Sequence, residues 1–210
     1  MFLLAIRMFS IFLFLRFYVQ QNLEFTPIQS GFGFLPMVAT LLAAATTATS
    51  VVLPRFGPKP LVPTGMLIAA AGLWWLSAID LGSTYADGVL GPLMVMGVGI
   101  GRSMAPAMSV ATFGVQLHEA GVASATVNTM QQVGGSIGTA LLSTLAGNAA
   151  TSFLAGRAPT PQLAAQAAVH SCTTAFAWAA AIFAAGAAIS GLLLRPGAPR
   201  GEAVVPAVHV

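Results

Sequence analysis

The chain has 210 residues, of which 57% are hydrophobic and 6% charged, with eight Lys plus Arg against five Asp plus Glu. A water-soluble domain carries about a quarter charged residues, so that class is excluded and the protein folds in lipid. The basic residues form no run and no aromatic-interleaved patch, which excludes nucleic acid as a partner. The lone Cys172 and the scattered His118, His170 and His209 exclude a disulfide framework within the chain and any zinc-ligand spacing.

A hydrocarbon core about 30 Å thick asks roughly 20 apolar residues of each helical crossing, which caps this chain at about six or seven. Backbone groups cannot stay unpaired in lipid, so the choice lies between helices and a closed barrel. Barrel strands alternate in polarity over about ten residues. The stretches 66–76 and 173–194 are instead continuously apolar and rich in Ala and Leu. The expected fold class is therefore an all-α integral membrane protein with about six transmembrane helices.

In chain order the spans fall at 2–19, 31–53, 61–79, 89–113, 121–145 and 169–194. Breakers separate them at 20–27, at the Pro-Arg-Phe-Gly-Pro-Lys-Pro run 54–60, at 80–88, at 114–120 and at the longer stretch 156–166. The helical domain is expected to cover 1–195, with 196–210 a cytoplasmic, disordered tail. The first span could be read as a secretory signal, but Arg7 and Arg16 interrupt its apolar run and no small-x-small cleavage site follows. It is expected to be retained, with both arginines snorkelling.

Orientation follows from the positive-inside rule. With a cytoplasmic amino terminus, the inside joints hold Arg55 and Lys59 and the tail holds Arg195 and Arg200. The outside joints then hold only Arg157 among bases, with Glu24, Asp80 and Asp87. Both termini are expected to be cytoplasmic, in a multi-pass protein of the cell membrane.

The fifth span carries Ser124, Asn128, Gln131, Gln132, Gly135, Gly138 and Thr139 on one helix face. A polar stripe in lipid must face protein or water. Its length favours a substrate cavity over a single helix contact, so Ser124, Asn128, Gln131 and Gln132 are cavity candidates. Arg102 joins them from the middle of the fourth span, where a charge costs about 2.5 to 3.5 kcal/mol even on the lenient scale. All five acids lie in joints or the tail, so its counter-charge is a substrate anion, a helix-end carbonyl or a carboxylate elsewhere.

Small residues form a second pattern. Gly97, Gly99 and Gly101, with Gly134 and Gly138, make small-xxx-small spacings that let helix backbones approach closely. Pro36 and Pro106 inside spans permit kinks suited to gating or to a static bend. His170 and Ser171 are adjacent without an orienting acid, and no span holds paired acids or a histidine motif, so no enzyme, metal site or cofactor is expected.

Several of these residues carry a family resemblance. The Tyr-Val-Gln-Gln run at 18–21, Pro27, and Gly-Phe-Gly-Phe-Leu-Pro at 31–36 resemble the seventh and eighth helices of the fourteen-span drug:proton antiporters (EmrB/QacA type) of the major facilitator superfamily, counted on the twelve-helix core. The basic joint with Arg55, Gly57 and Lys59 resembles a cytoplasmic loop motif lacking its acid. The glycines at 97, 99 and 101 with Pro106, and the 121–138 pattern, resemble the tenth and eleventh helices. Gln131 stands where the family usually has arginine, and Arg16 and Arg102 where it usually has uncharged residues.

The resemblance implies the carboxy-terminal half of such a transporter, built of two inverted three-helix repeats. It also implies alternating-access export of small amphipathic or cationic compounds, with substrate near the midplane between halves. On this reading the chain is a truncated or split half, completed by a missing amino-terminal half or a second copy. The alternative is a non-transporting membrane interaction protein, or a nonfunctional fragment, in which the same residues only knit the bundle together.

Overall fold

A polypeptide in lipid satisfies its backbone most simply within each segment, and every regular element among the described residues is a helix. A computed structural model describes residues 25–111, 115, 116, 118–158 and 160–193. The expected 2–19 span with Arg7 and Arg16, and the 196–210 tail with Arg200, lie outside the described residues, as does Arg195.

The first rod is a broken one. α1 (Pro27–Gly33) starts at a capping box in which the Gln29 amide donates to the Thr26 hydroxyl at 3.3 Å and the Thr26 amide to Gln29 Oε1 at 2.9 Å. Phe34 interrupts it, and α2 (Leu35–Thr47) resumes with Pro36 in its first turn, where the missing N–H costs nothing. Pro36 therefore marks the junction of two helices and is not in the interior of one. A π-helical turn (Ala48–Val52) and α3 (Leu53–Phe56) finish the rod at Gly57.

α4 (Pro58–Leu76) begins directly after Gly57, so the proline-rich joint expected at 54–60 contracts to one residue. Pro58 and Pro60 fit because first-turn amides have no intrahelical acceptor anyway. Pro63 lies inside this helix, where it leaves the Lys59 carbonyl without its i+4 donor. A second π-helical turn (Tyr85–Leu90) leads into α5 (Gly91–Ala111), which contains Pro106.

α6 (Ala120–Leu154) and α7 (Pro161–Leu193) are 35 and 33 residues long. The joint between them is 155–160, shorter than the expected 156–166, because Ala-rich flanks on both sides keep high helix propensity. Among the described residues four helices are long and apolar enough to cross a bilayer: Pro27–Phe56, Tyr85–Met108, Ala120–Leu154 and Pro161–Leu193. α4 is not among the four, since Lys59 and three prolines dilute its apolar content.

The helices pack in the order α2, α5, α4, α7, α6. Their common core is Met37 from α2, Leu73 from α4, Leu93 and Ile100 from α5, Leu142 from α6, and Phe176 and Phe183 from α7. Glycines set the closest approaches around α5. A Cβ on Gly97 would strike the Thr40 hydroxyl, and one on Gly101 would strike the Leu41 carbonyl, so both admit the α2 backbone. On another face, Gly99 meets Ala69 of α4, while a Cβ on Gly65 or Gly72 of α4 would lie 2.8 Å from Gly99 O or 2.9 Å from Met96 N. α5 is thereby held between two helices with backbone nearly against backbone.

Candidate functional site

α6 has three distinct faces. Val127, Gly134, Gly138, Leu142 and Ala146 are buried, and α6 packs on α7. Met130, Val133, Ile137 and Leu141 form an exposed apolar face, suited to lipid. Between them runs the polar stripe: Ser124, Gly135 and Thr139 are half-buried, while Asn128 and Gln132 are exposed. Gln131 sits at the edge of the packed seam, half-buried and engaged.

Most hydroxyls in the spans are consumed by their own helix. Thr40, Thr46, Thr49, Thr126, Thr129 and Thr144 each donate to the carbonyl four residues back at 2.8–3.1 Å, which removes them as ligands at little cost in lipid. Amides and guanidinium groups have no such outlet. Among the expected cavity residues, Asn128, Gln132 and Arg102 are thus the ones that need something beyond their own helix.

Arg102 is half-buried, and its Nε is shut off from solvent with no hydrogen-bond partner. It lies two residues beyond Ile100, which at 3.6 residues per turn is roughly 200° round the helix. Arg102 therefore points away from the core face formed by Leu93, Ile100 and Ala107. Among the described residues no carboxylate pairs with it. α5 and α6 share no substantial packing, so Arg102 and the α6 stripe are not brought together by this bundle alone.

The packing and hinge candidates separate clearly. Gly97 and Gly101 receive α2, Gly134 and Gly138 lie in the buried face of α6, and Pro106 is buried within α5. Arg55 is exposed at the end of the first rod and Lys59 half-buried at the start of α4. Gly57 between them has φ 74° and ψ 178°, a conformation essentially confined to glycine.

Three features escaped the sequence reading. Gly65 and Gly72 of α4, seven apart, admit the α5 backbone at Gly99 and at Met96, and that spacing was a readable signal. The Tyr85 hydroxyl donates to the Gly33 carbonyl at 2.6 Å, a bond across 52 residues that no local pattern announces. An open cleft of about 510 Å³ lies at the end of the bundle that carries Asp80. Its lining includes Ser77, Asp80, Gln166, His170 and Thr173, and none of the expected cavity residues borders it. Asp80 there caps a turn, accepting from Gly82 N and the Ser83 hydroxyl, both at 2.9 Å.

Comparison with known proteins bears on these observations. Residues 1–139 match the Major Facilitator Superfamily. The puromycin resistance protein of Streptomyces alboniger is 36% identical over 191 residues, which cover 90% of this chain and 38% of that protein. The cephamycin export protein of Amycolatopsis lactamdurans is 32% identical over 138 residues, 66% of this chain and 28% of its own length. The tetracenomycin C resistance and export protein of Streptomyces glaucescens is 34% identical, over 63% of this chain and 24% of its own. The chain thus spans less than two fifths of each of these relatives. With an all-helical membrane bundle and a family match over about two thirds of its residues, the chain belongs to the Major Facilitator Superfamily.

Proposed function

We propose that this chain acts as the carboxy-terminal half-bundle of a drug-exporter-type transporter in the cell membrane, moving small amphipathic molecules by alternating access. The observation that carries the reading is its likeness, over 90% of its length, to a protein named for puromycin resistance, together with others named for export. The exposed Asn128 and Gln132 of the α6 stripe support it, since on a membrane helix they need water, substrate or protein opposite them. In this reading Ser124, Asn128, Gln131, Gln132 and Arg102 border a cavity completed by another half or a second copy. Gly97, Gly101, Gly134 and Gly138 are the close helix contacts, and Pro36 and Pro106 the places where helices bend.

Orientation is part of the proposal. Arg55 and Lys59 lie at one end of α4, and Asp80 and Asp87 follow its other end. A positive-inside arrangement puts the former in the cytoplasm, and both termini with them. The described spans carry no carboxylate in their membrane interior, so proton coupling rests on groups supplied by the completing half.

The test is efflux of amphipathic dyes from membrane vesicles holding the chain alone, or the chain with an amino-terminal half taken from a relative. Export in either arrangement, lost with Asn128→Leu and Gln132→Leu, supports the proposal. Correct insertion without export in both arrangements sinks it and leaves the rival reading of a membrane interaction protein or nonfunctional fragment.

A further inference from the structure

The substrate class has its own structural signal at Arg102. α5 holds this residue 11 positions after Gly91 and nine before Ala111, about 16 Å and 14 Å from the helix ends at 1.5 Å per residue. Within the apolar span Tyr85–Met108 it lies six positions, about 9 Å, from the nearer end, so the charge sits inside the span on the Met108 side of its middle. Its Nε is buried and unpaired. Ser103 beside it offers nothing, because its hydroxyl donates to Gly99 O at 2.9 Å and Ile100 O at 3.2 Å and faces the buried side. The nearest acids in sequence, Asp87 and Glu119, both lie outside α5.

A guanidinium whose Nε is buried without a partner favours an anion, and its planar fork of donors matches a carboxylate bidentately. The same charge repels an organic cation brought to the same depth. Arg102 also points away from the core of this half.

We propose that Arg102 is an anion-recognition residue, and that the compounds handled by this chain include amphipathic organic acids whose carboxylate docks on it. This rests on the transport reading above and narrows it, since a cavity bordered by an arginine inside the span selects against simple cations. The carboxylate has two possible sources, a free organic acid or an acidic side chain of the completing half, and the experiment separates them.

The full chain in lipid nanodiscs is titrated with dansylglycine, its neutral methyl amide and the cationic dansyl-ethylenediamine, read by dansyl fluorescence. The acid is expected to bind at least tenfold more tightly than the other two. Arg102→Gln removes that preference and Arg102→Lys keeps most of it, with unchanged helicity by circular dichroism in both. Equal binding of the three probes, or acid binding untouched by Arg102→Gln in a folded protein, overturns the proposal. Loss of acid binding only when an amino-terminal half is added assigns the carboxylate to that half and overturns the substrate assignment. Dye efflux is measured on the same samples. Export of the cation, indifferent to Arg102→Gln, leaves transport standing and rejects the anion site. Acid binding without export of any probe retains the anion site and rejects transport.

Discussion

The phenolic hydroxyl of Tyr85 donates to the carbonyl oxygen of Gly33 at 2.6 Å, tying the turn before α5 to the break in the first rod. Gly33 ends α1, where the last carbonyls have no intrahelical donors, so the tyrosine supplies from afar what the broken helix lacks. Phe25 packs against the same ring in a tilted pair, with centroids 5.8 Å apart. Tyr85→Phe keeps that ring contact and deletes only the bond. It is expected to lower stability by about 0.5–1.5 kcal/mol, seen as a reduced melting temperature in detergent, whereas Tyr85→Ala costs more because the ring goes too. A Tyr85→Phe protein as stable as the parent rejects the latch.

Glycines in this chain predict opposite outcomes at different sites. On Gly101 a methyl meets the Leu41 carbonyl, which is backbone and cannot yield without moving α2. Gly101→Ala is expected to cost about 1–3 kcal/mol or more through overpacking. On Gly147 of α6 a methyl meets nothing within 4 Å, so Gly147→Ala is expected to stabilise by roughly 0.5–1 kcal/mol through reduced backbone entropy. Thermal denaturation of the two variants side by side checks the sign at each position, and equal effects refute the assignment of α5 as a clamped helix.

Gly57 predicts a third behaviour. Its φ of 74° with ψ of 178° lets α3 end and α4 begin without an intervening loop. Alanine there carries a strain of order 1–3 kcal/mol, and asparagine does not rescue it, because this region is essentially glycine-only and is not the ordinary left-handed one. A melt in which Gly57→Asn matches the parent contradicts the turn geometry.

How far the sequence foretold these features depends on their range. Helices were legible because apolar runs are local, and the Gly57 break was legible as a residue type at a boundary, whereas the Thr26–Gln29 capping box emerges only in the structure. Pro58 and Pro60 misled as loop residues because proline is equally at home in a helix's first turn. Asp80 and Asp87 read only as charges of the outside joints, and each also has a local duty: Asp80 caps a turn and Asp87 accepts from the Thr84 hydroxyl at 2.7 Å. Of the site candidates, the polar stripe was visible as a period. Its division into engaged Gln131 and exposed Asn128 and Gln132 depends on where α7 packs, which no single-helix pattern contains. The isolation of Arg102 from that stripe is likewise a property of helix order.

The faces of α6 can be told apart by chemistry in an intact membrane. The chain's one cysteine, Cys172, is 2% exposed in the packed α7 helix, so it stays silent to a water-soluble maleimide and introduced cysteines report alone. Maleimide needs a thiolate, and a thiolate needs water. If the stripe borders an aqueous cavity, Asn128→Cys and Gln132→Cys label at least tenfold faster than Met130→Cys and Ile137→Cys, although Met130 and Ile137 are about half exposed in the bare bundle, at 48% and 50%. The contrast matters because exposure alone does not distinguish lipid from water, whereas thiolate chemistry does. Equal, slow labelling at all four sites means that lipid or protein covers the stripe, and the cavity assignment of Asn128 and Gln132 falls with it. Fast labelling at all four means that α6 is not a membrane helix along this stretch, which contradicts the lipid-facing role of Met130 and Ile137 as well.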